Sequence, residues 1–161
     1  MITQERLKEL LYYHPESGDF IRLTQSGSAV PGDQCGAPDS RGYLKIRLDG
    51  GGQYYSHRLA WLYTHGSWPD DYIDHKNGVK DDNRIANLRP CSNTQNQHNA
   101  GLSVTNTSGF KGVCWAKDTG KWQASIRVDG KSKYLGQFND IEVAANAYRA
   151  AAAFYQGEFA H

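Results

Sequence analysis

The sequence predicts an α+β chain in two parts, on three observations. Apolar residues recur at helical spacing in some stretches and alternate in others. Residues 100–108 (Ala, Gly, Leu, Ser, Val, Thr, Asn, Thr, Ser) have little to bury and read as a linker. Beyond them, three strand-like runs at hairpin spacing precede one Ala-rich helical stretch. Charged residues make up 22% and hydrophobic residues 39%, the balance of a folded chain rather than a disordered one.

Residues 3–13 read as an amphipathic helix. Thr3 can cap it, Leu7, Leu10 and Leu11 share a face, and Pro15 and Gly18 end it. Strands are expected at 19–23 and 43–48, where Leu44, Ile46 and Leu48 alternate with polar residues. Asp49-Gly50-Gly51-Gly52 is a turn. Helical spacing returns from His57 to Gly66 through Leu59, Leu62 and Tyr63, and Trp68-Pro69 closes it. Ser92 and Gln95 fit a capping box that opens a short helix. After the linker, strands are expected at 112–115, 121–128 and 132–138, joined by turns at Asp118-Thr119-Gly120 and Asp129-Gly130-Lys131. Asn139 with Glu142 makes a second capping box, and the helix it opens runs to about Gln156 before Gly157. The chain thus divides into a supporting segment 1–53, a segment 54–99 that carries the candidate chemistry, the linker 100–108, and a module 109–161.

The chemistry concentrates in Ile73-Asp74-His75-Lys76-Asn77-Gly78, then in Asn87-Leu88-Arg89 and Asn96. Asp and Asn oxygens suit a hard cation such as Mg²⁺, with Mn²⁺ an alternative. An imidazole beside that cation could take a proton from water. Those are the parts of a phosphodiesterase. Lys76, Lys80, Arg84 and Arg89 read as solvated side chains that could touch phosphates. His57 reads as a packing or positioning residue, and His98 as solvated or phosphate-contacting.

A net charge of +1 does not by itself point to a polyanion. The distribution does. Lys111, Lys117, Lys121, Arg127, Lys131 and Lys133 face only Asp118 and Asp129 over that stretch. The three cysteines, Cys35, Cys91 and Cys114, are odd in number and far apart, so neither a disulfide framework nor a structural zinc site is expected. No signal peptide and no membrane span is legible, and a cytoplasmic setting is the expectation.

Residues 54–99, on His57-Arg58-Leu59-Ala60, Ile73 to Gly78, Asn87-Leu88-Arg89 and Asn96, resemble the HNH endonuclease family. The match is to its phage and mobile-intron branch, in which Asn replaces the last His. The resemblance implies a ββα-metal module acting on double-stranded DNA in a phage-infected or bacterial host cell. It implies His75 as general base, Asp74 and Asn96 as ligands of one divalent cation, and Asn87 as the residue that pins the loop and orients His75. One such set per chain leads to the expectation of a monomer that nicks one strand at a specific site, as homing endonucleases do.

Residues 110–160 resemble the AP2/ERF DNA-binding domain through Gly112-Val113, Trp122 to Arg127, Tyr134-Leu135-Gly136-Gln137-Phe138 and Ala144 to Ala151. This implies a three-stranded antiparallel sheet laid in the DNA major groove and backed by one helix. Lys111, Lys121, Arg127 and Tyr134 match positions that face DNA in that family. Trp115, Lys117 and Lys133 are added candidates, and Trp122 is read as sheet core. Cys114, Ser125 and Ser132 depart from the plant pattern, so the plant target sequence does not transfer. Two other readings stay open: a non-catalytic DNA-binding regulator, and a structure-specific nuclease with a non-specific anchor.

Overall fold

The computed structural model describes residues 1–48, 52–99 and 101–160. It divides into two compact units, Met1–Asn93 and Thr94–His161. The Asp49–Gly51 part of the expected turn lies outside the described residues.

Helix α1, Gln4–Leu10, opens the first unit. Thr3 caps it by accepting from the Arg6 amide. The sequence predicts helix to residue 13, but Leu11–Tyr13 is strand β1. It pairs antiparallel with β2, Phe20–Arg22, in the register Leu11↔Arg22. The ladder takes over the backbone groups that a longer helix would have used, and it buries Leu11 and Tyr13. A two-residue strand β3, Gln34–Cys35, completes this sheet. Strands β4 (Ala37–Pro38), β5 (Leu44–Arg47) and β6 (Gln53–Tyr55) form a second antiparallel sheet. β3, β4 and β6 are too short to produce a periodic signal in the sequence.

Helix α2, Ser56–His65, ends on Gly66 in the left-handed conformation. It buries Leu59, Ala60 and Leu62 against Leu7, Leu10, Phe20 and Ile46. Strand β7, Tyr72–His75, pairs antiparallel with β8, Leu88–Cys91, and the chain continues into α3, Asn93–Asn99. The order β, β, α is thus present over the stretch where the sequence places the chemistry.

In the second unit, β9 (Val113–Ala116), β10 (Lys121–Val128) and β11 (Lys131–Phe138) form an antiparallel sheet with β10 central. Helix α4, Ile141–Gln156, packs on it. Its cap is Asp140, one residue later than predicted, accepting from the amides of Glu142 and Val143. Val113, Ala124, Ala144 and Ala145 form one core cluster, and Ile126, Tyr148 and Ala152 another. Small residues on α4 let it lie close to the sheet. At Gly112, just before β9, there is no room for a Cβ, which would stand 2.1 Å from the Tyr148 ring. Asn106 and Ser108, in the expected linker, hydrogen-bond to the Phe110 carbonyl, so this end of the stretch is tied to the module.

A β-bulge decides which side chains share a face. Ala124 pairs with Gly136 but Ser125 pairs with Tyr134, which leaves Leu135 as the extra residue. Leu135 turns into the core. Beyond the bulge the alternation is inverted. Tyr134 goes to the open face and Lys133 to the helix side.

Candidate functional site

Asp74 and His75 are neighbours on β7, so their side chains leave opposite faces of the ladder. Both residues are buried, at 4% exposure each. Asp74 pairs in register with Arg89 on β8, which brings the two side chains together. Arg89 Nε and Nη2 each lie 2.8 Å from Asp74 Oδ2. Arg89 is therefore no solvated side chain but the partner of a buried carboxylate. The other three basic residues of this region are engaged as well. Lys76 donates to the Ala86 carbonyl, Lys80 to the Arg41 carbonyl, and Arg84 pairs with Asp82. Arg84's hydrogen bonds hold the Asp82 carboxyl down to about 2.

His75 sits among aromatic rings. Its centroid is 5.1 Å from His57, edge to face, and 5.9 Å from Tyr43. His57 stacks on Tyr55 at 5.4 Å and tilts against Tyr43 at 5.5 Å. Around these rings stand cations. Arg41 and Lys80 lie over Tyr43, and Lys45 lies over Tyr55. Asp39 partly offsets them through Arg41 and Lys45. Asp39, Arg41, Tyr43, Lys45 and Tyr55 thus supply one wall of the site. No pattern in the sequence signals this wall, because its rings belong to short strands and a loop.

Burial lowers the pKa of His75, with the Asn83 hydrogen bond and nearby carboxylates pulling the other way. Burial and the neighbouring His75 hold His57 down to about 3. Both imidazoles are neutral at neutral pH, the form a base requires. The His57 Nδ1 is buried with no hydrogen-bond partner among the described residues, a packing environment like that of the rest of its ring.

Asn87 ties the loop after β7. Its Oδ1 accepts from the Asn77 amide at 3.1 Å, and its Nδ2 donates to Asn77 Oδ1 at 3.0 Å and to the Asp82 carbonyl at 2.8 Å. Its own carbonyl accepts from the Lys76 amide at 2.9 Å. Asn83, which residue type and spacing did not single out, meets His75 directly, with Oδ1 3.2 Å from His75 Nε2.

Asn96 is half-buried on α3, in the second unit. Asp and Asn oxygens are the right donors for Mg²⁺, which keeps several waters and needs only one or two carboxylates from the protein. Among the described residues no three His, Cys, Asp or Glu side chains gather as a metal cage.

On the second unit, register divides the DNA-contact candidates. Cys114, Gln123 and Gln137 are partners across the three strands and face away from α4, and Ser125 pairs with Tyr134 on that same open face. Lys121 and Arg127 alternate onto it, both exposed. Tyr134 is 62% exposed. Trp115 pairs with Trp122 on the other face, their rings 5.0 Å apart. Lys133 lies over Tyr155 of α4 at 4.3 Å. Trp115 and Lys133, two of the DNA-contact candidates, thus stand on the helix side of the sheet rather than with Lys121, Arg127 and Tyr134. Lys111 is half-buried, and its ammonium donates to the His98 carbonyl. That removes it from the open face too. Lys117 is in the exposed β9–β10 turn. Gln123 and Gln137, joined by a long 3.5 Å hydrogen bond, are open-face residues that sequence reasoning missed.

No helix among the described residues is long and apolar enough to cross a membrane. A structure titled DNA binding and cleavage by the HNH homing endonuclease I-HmuI is similar at a TM-score of 0.45 and 21% identity, covering 94% of this chain and 87% of that one. The AP2-like ethylene-responsive transcription factor TOE2 of Arabidopsis thaliana is 30% identical over 95 residues, 59% of this chain but only 19% of that protein. Protein 3.8 of Escherichia phage T7 is 32% identical over 94 residues, 58% of this chain and 78% of that protein. The family model described as HNH endonuclease matches residues 54–98, the stretch that holds Asp74, His75, Asn87 and Asn96. With that match and that relative, the chain belongs to the HNH endonuclease family.

Proposed function

We propose that this chain is a metal-dependent DNA endonuclease of the homing type, nicking one strand at a site recognised in part by the sheet of its second unit. The observation that carries the reading is His75: it lies within the matched family segment, buried and neutral, next to a carboxylate. His75 takes a proton from water as the water oxygen bonds to phosphorus and the bond from phosphorus to the leaving sugar oxygen breaks. Arg89 fixes the Asp74 carboxylate by holding its Oδ2. Asn87 holds the loop after His75. Asp74 and Asn96 are the assigned oxygen ligands of a divalent cation, Mg²⁺ by donor chemistry, which when bound stabilises negative charge on the phosphate and the leaving oxygen.

A supercoiled-plasmid assay over rising Mg²⁺ tests the ligand assignment. Asn96→Ala is expected to need more Mg²⁺ than the wild type for half-maximal nicking. An identical Mg²⁺ response in the two proteins removes Asn96 from the metal site.

The open face supports the DNA-binding part of the proposal. A sheet face fits the major groove, about 12 Å wide. Lys121, Arg127 and Tyr134 present two cations and an aromatic ring there, with Gln123 and Gln137 between. Arg127→Ala is expected to weaken binding, by ~1–3 kcal/mol at one position if Arg127 reads a base edge. Loss of a phosphate contact would instead flatten the log–log salt dependence by about 0.9. Lys133→Ala is expected to leave both quantities near the wild-type values. A mobility-shift titration in which Lys133→Ala weakens binding as much as Arg127→Ala contradicts the face assignment.

A further inference from the structure

Asn83 is 1% exposed and hydrogen-bonded through both ends of its carboxamide. Its Nδ2 donates to the Asp81 carbonyl at 3.1 Å, which fixes the orientation of the carboxamide. Its Oδ1 therefore faces His75 Nε2 at 3.2 Å. A carboxamide oxygen only accepts, so Nε2 must carry the proton. A neutral imidazole has one such proton, and the basic lone pair is then on Nδ1.

Asn83 is itself held from the amino-terminal segment. The Tyr13 hydroxyl donates to the Asn83 carbonyl at 2.8 Å, and Tyr13 is 2% exposed. The turn between β1 and β2 lies directly against the same backbone. Gly18, at φ +84°, has room for no Cβ, which would stand 2.6 Å from Asn83 C and Arg84 N. The Pro15 carbonyl accepts from the Ile85 amide nearby.

We propose that Asn83 is a positioning residue that decides which nitrogen of His75 is basic, and that residues 13–18 are the brace that holds Asn83 in place. This deepens the reading of His75 as the base and rests on it for its catalytic consequence. It also gives the amino-terminal segment, read from the sequence only as a support, a specific task. The arrangement parallels the outer partners of metal-bound histidines, where a second hydrogen bond selects the tautomer.

The test is nitrogen NMR of the His75 ring in the full-length, metal-free protein, at alkaline pH where the ring is neutral. The wild type is expected to show one tautomer, with a slowly exchanging proton on Nε2. Asn83→Asp keeps an acceptor and is expected to retain that protected proton. Asn83→Leu is expected to lose the protection and to lower kcat roughly 10–100-fold, the usual range for loss of such a partner, with KM little changed. Tyr13→Phe leaves Asn83 present and is expected to speed the exchange of the same proton. A wild-type ring protonated on Nδ1 overturns the inference without any variant. So does an Asn83→Leu protein whose Nε2 proton exchanges as slowly as the wild type's. A wild type that shows the expected tautomer but cuts no DNA leaves this inference standing and removes the base assignment instead.

Discussion

His75→Ala is expected to lower nicking by ~10²–10⁴-fold, the range for loss of a general base. DNA binding should change little, because the open-face candidates are on the second unit, far along the chain from β7. The variant also removes a ring from the Tyr43–His57–Tyr55 group. Some stability is therefore lost as well, by ~2–4 kcal/mol if the space does not close. Folding must be checked by unfolding in denaturant before the rates are compared. Nicking at near the wild-type rate by a folded His75→Ala protein would show that another group activates water.

Arg89→Met should be strongly destabilising. Asp74 and Arg89 are 4% and 8% exposed, and their contact at 2.8 Å is shielded from water. Removing the guanidinium takes the Arg89 charge away from a buried carboxylate, at a cost of about 3–5 kcal/mol. That is a large part of the roughly 5–15 kcal/mol stability of an ordinary domain. Replacing both partners, as in Asp74→Leu with Arg89→Met, removes the uncompensated charge and should restore most of the loss. The double variant should still fail to cut, since it lacks an assigned metal ligand. Urea unfolding reads both effects. An Arg89→Met protein within about 1 kcal/mol of the wild type would mean that solvent screens the pair despite its burial.

The mixed helix-and-sheet fold class and most of the longer elements of the chain were legible in its sequence. Asp74, His75, Asn87 and Asn96 stood out because residue type and spacing together carry a donor set and a base. Strands β10 and β11, the turn at Asp129-Gly130 and helix α4 stood out because strong alternation and strong helix propensity agree with the final packing. Three kinds of feature were hidden. Leu11 and Tyr13 fit a helix as well as a strand, and only pairing with β2 decides between them. Lys133 reads only as one more basic DNA-contact candidate, and the bulge at Leu135 that sets its face has no signature in residue spacing. Asn83 and Tyr13 are 70 positions apart and meet only through the tertiary fold. No local pattern joins them, so a residue that contacts the candidate base was indistinguishable from an ordinary loop Asn.

The measurement that tests the central claim most directly is incubation of the wild-type protein with supercoiled plasmid carrying its native flanking DNA, with Mg²⁺ and with EDTA. The account predicts conversion to the nicked circle with Mg²⁺, a single mapped break in one strand, and no conversion in EDTA while the protein remains folded. Equal cutting in EDTA, or no cutting of this DNA at any concentration of Mg²⁺ or Mn²⁺, would contradict it.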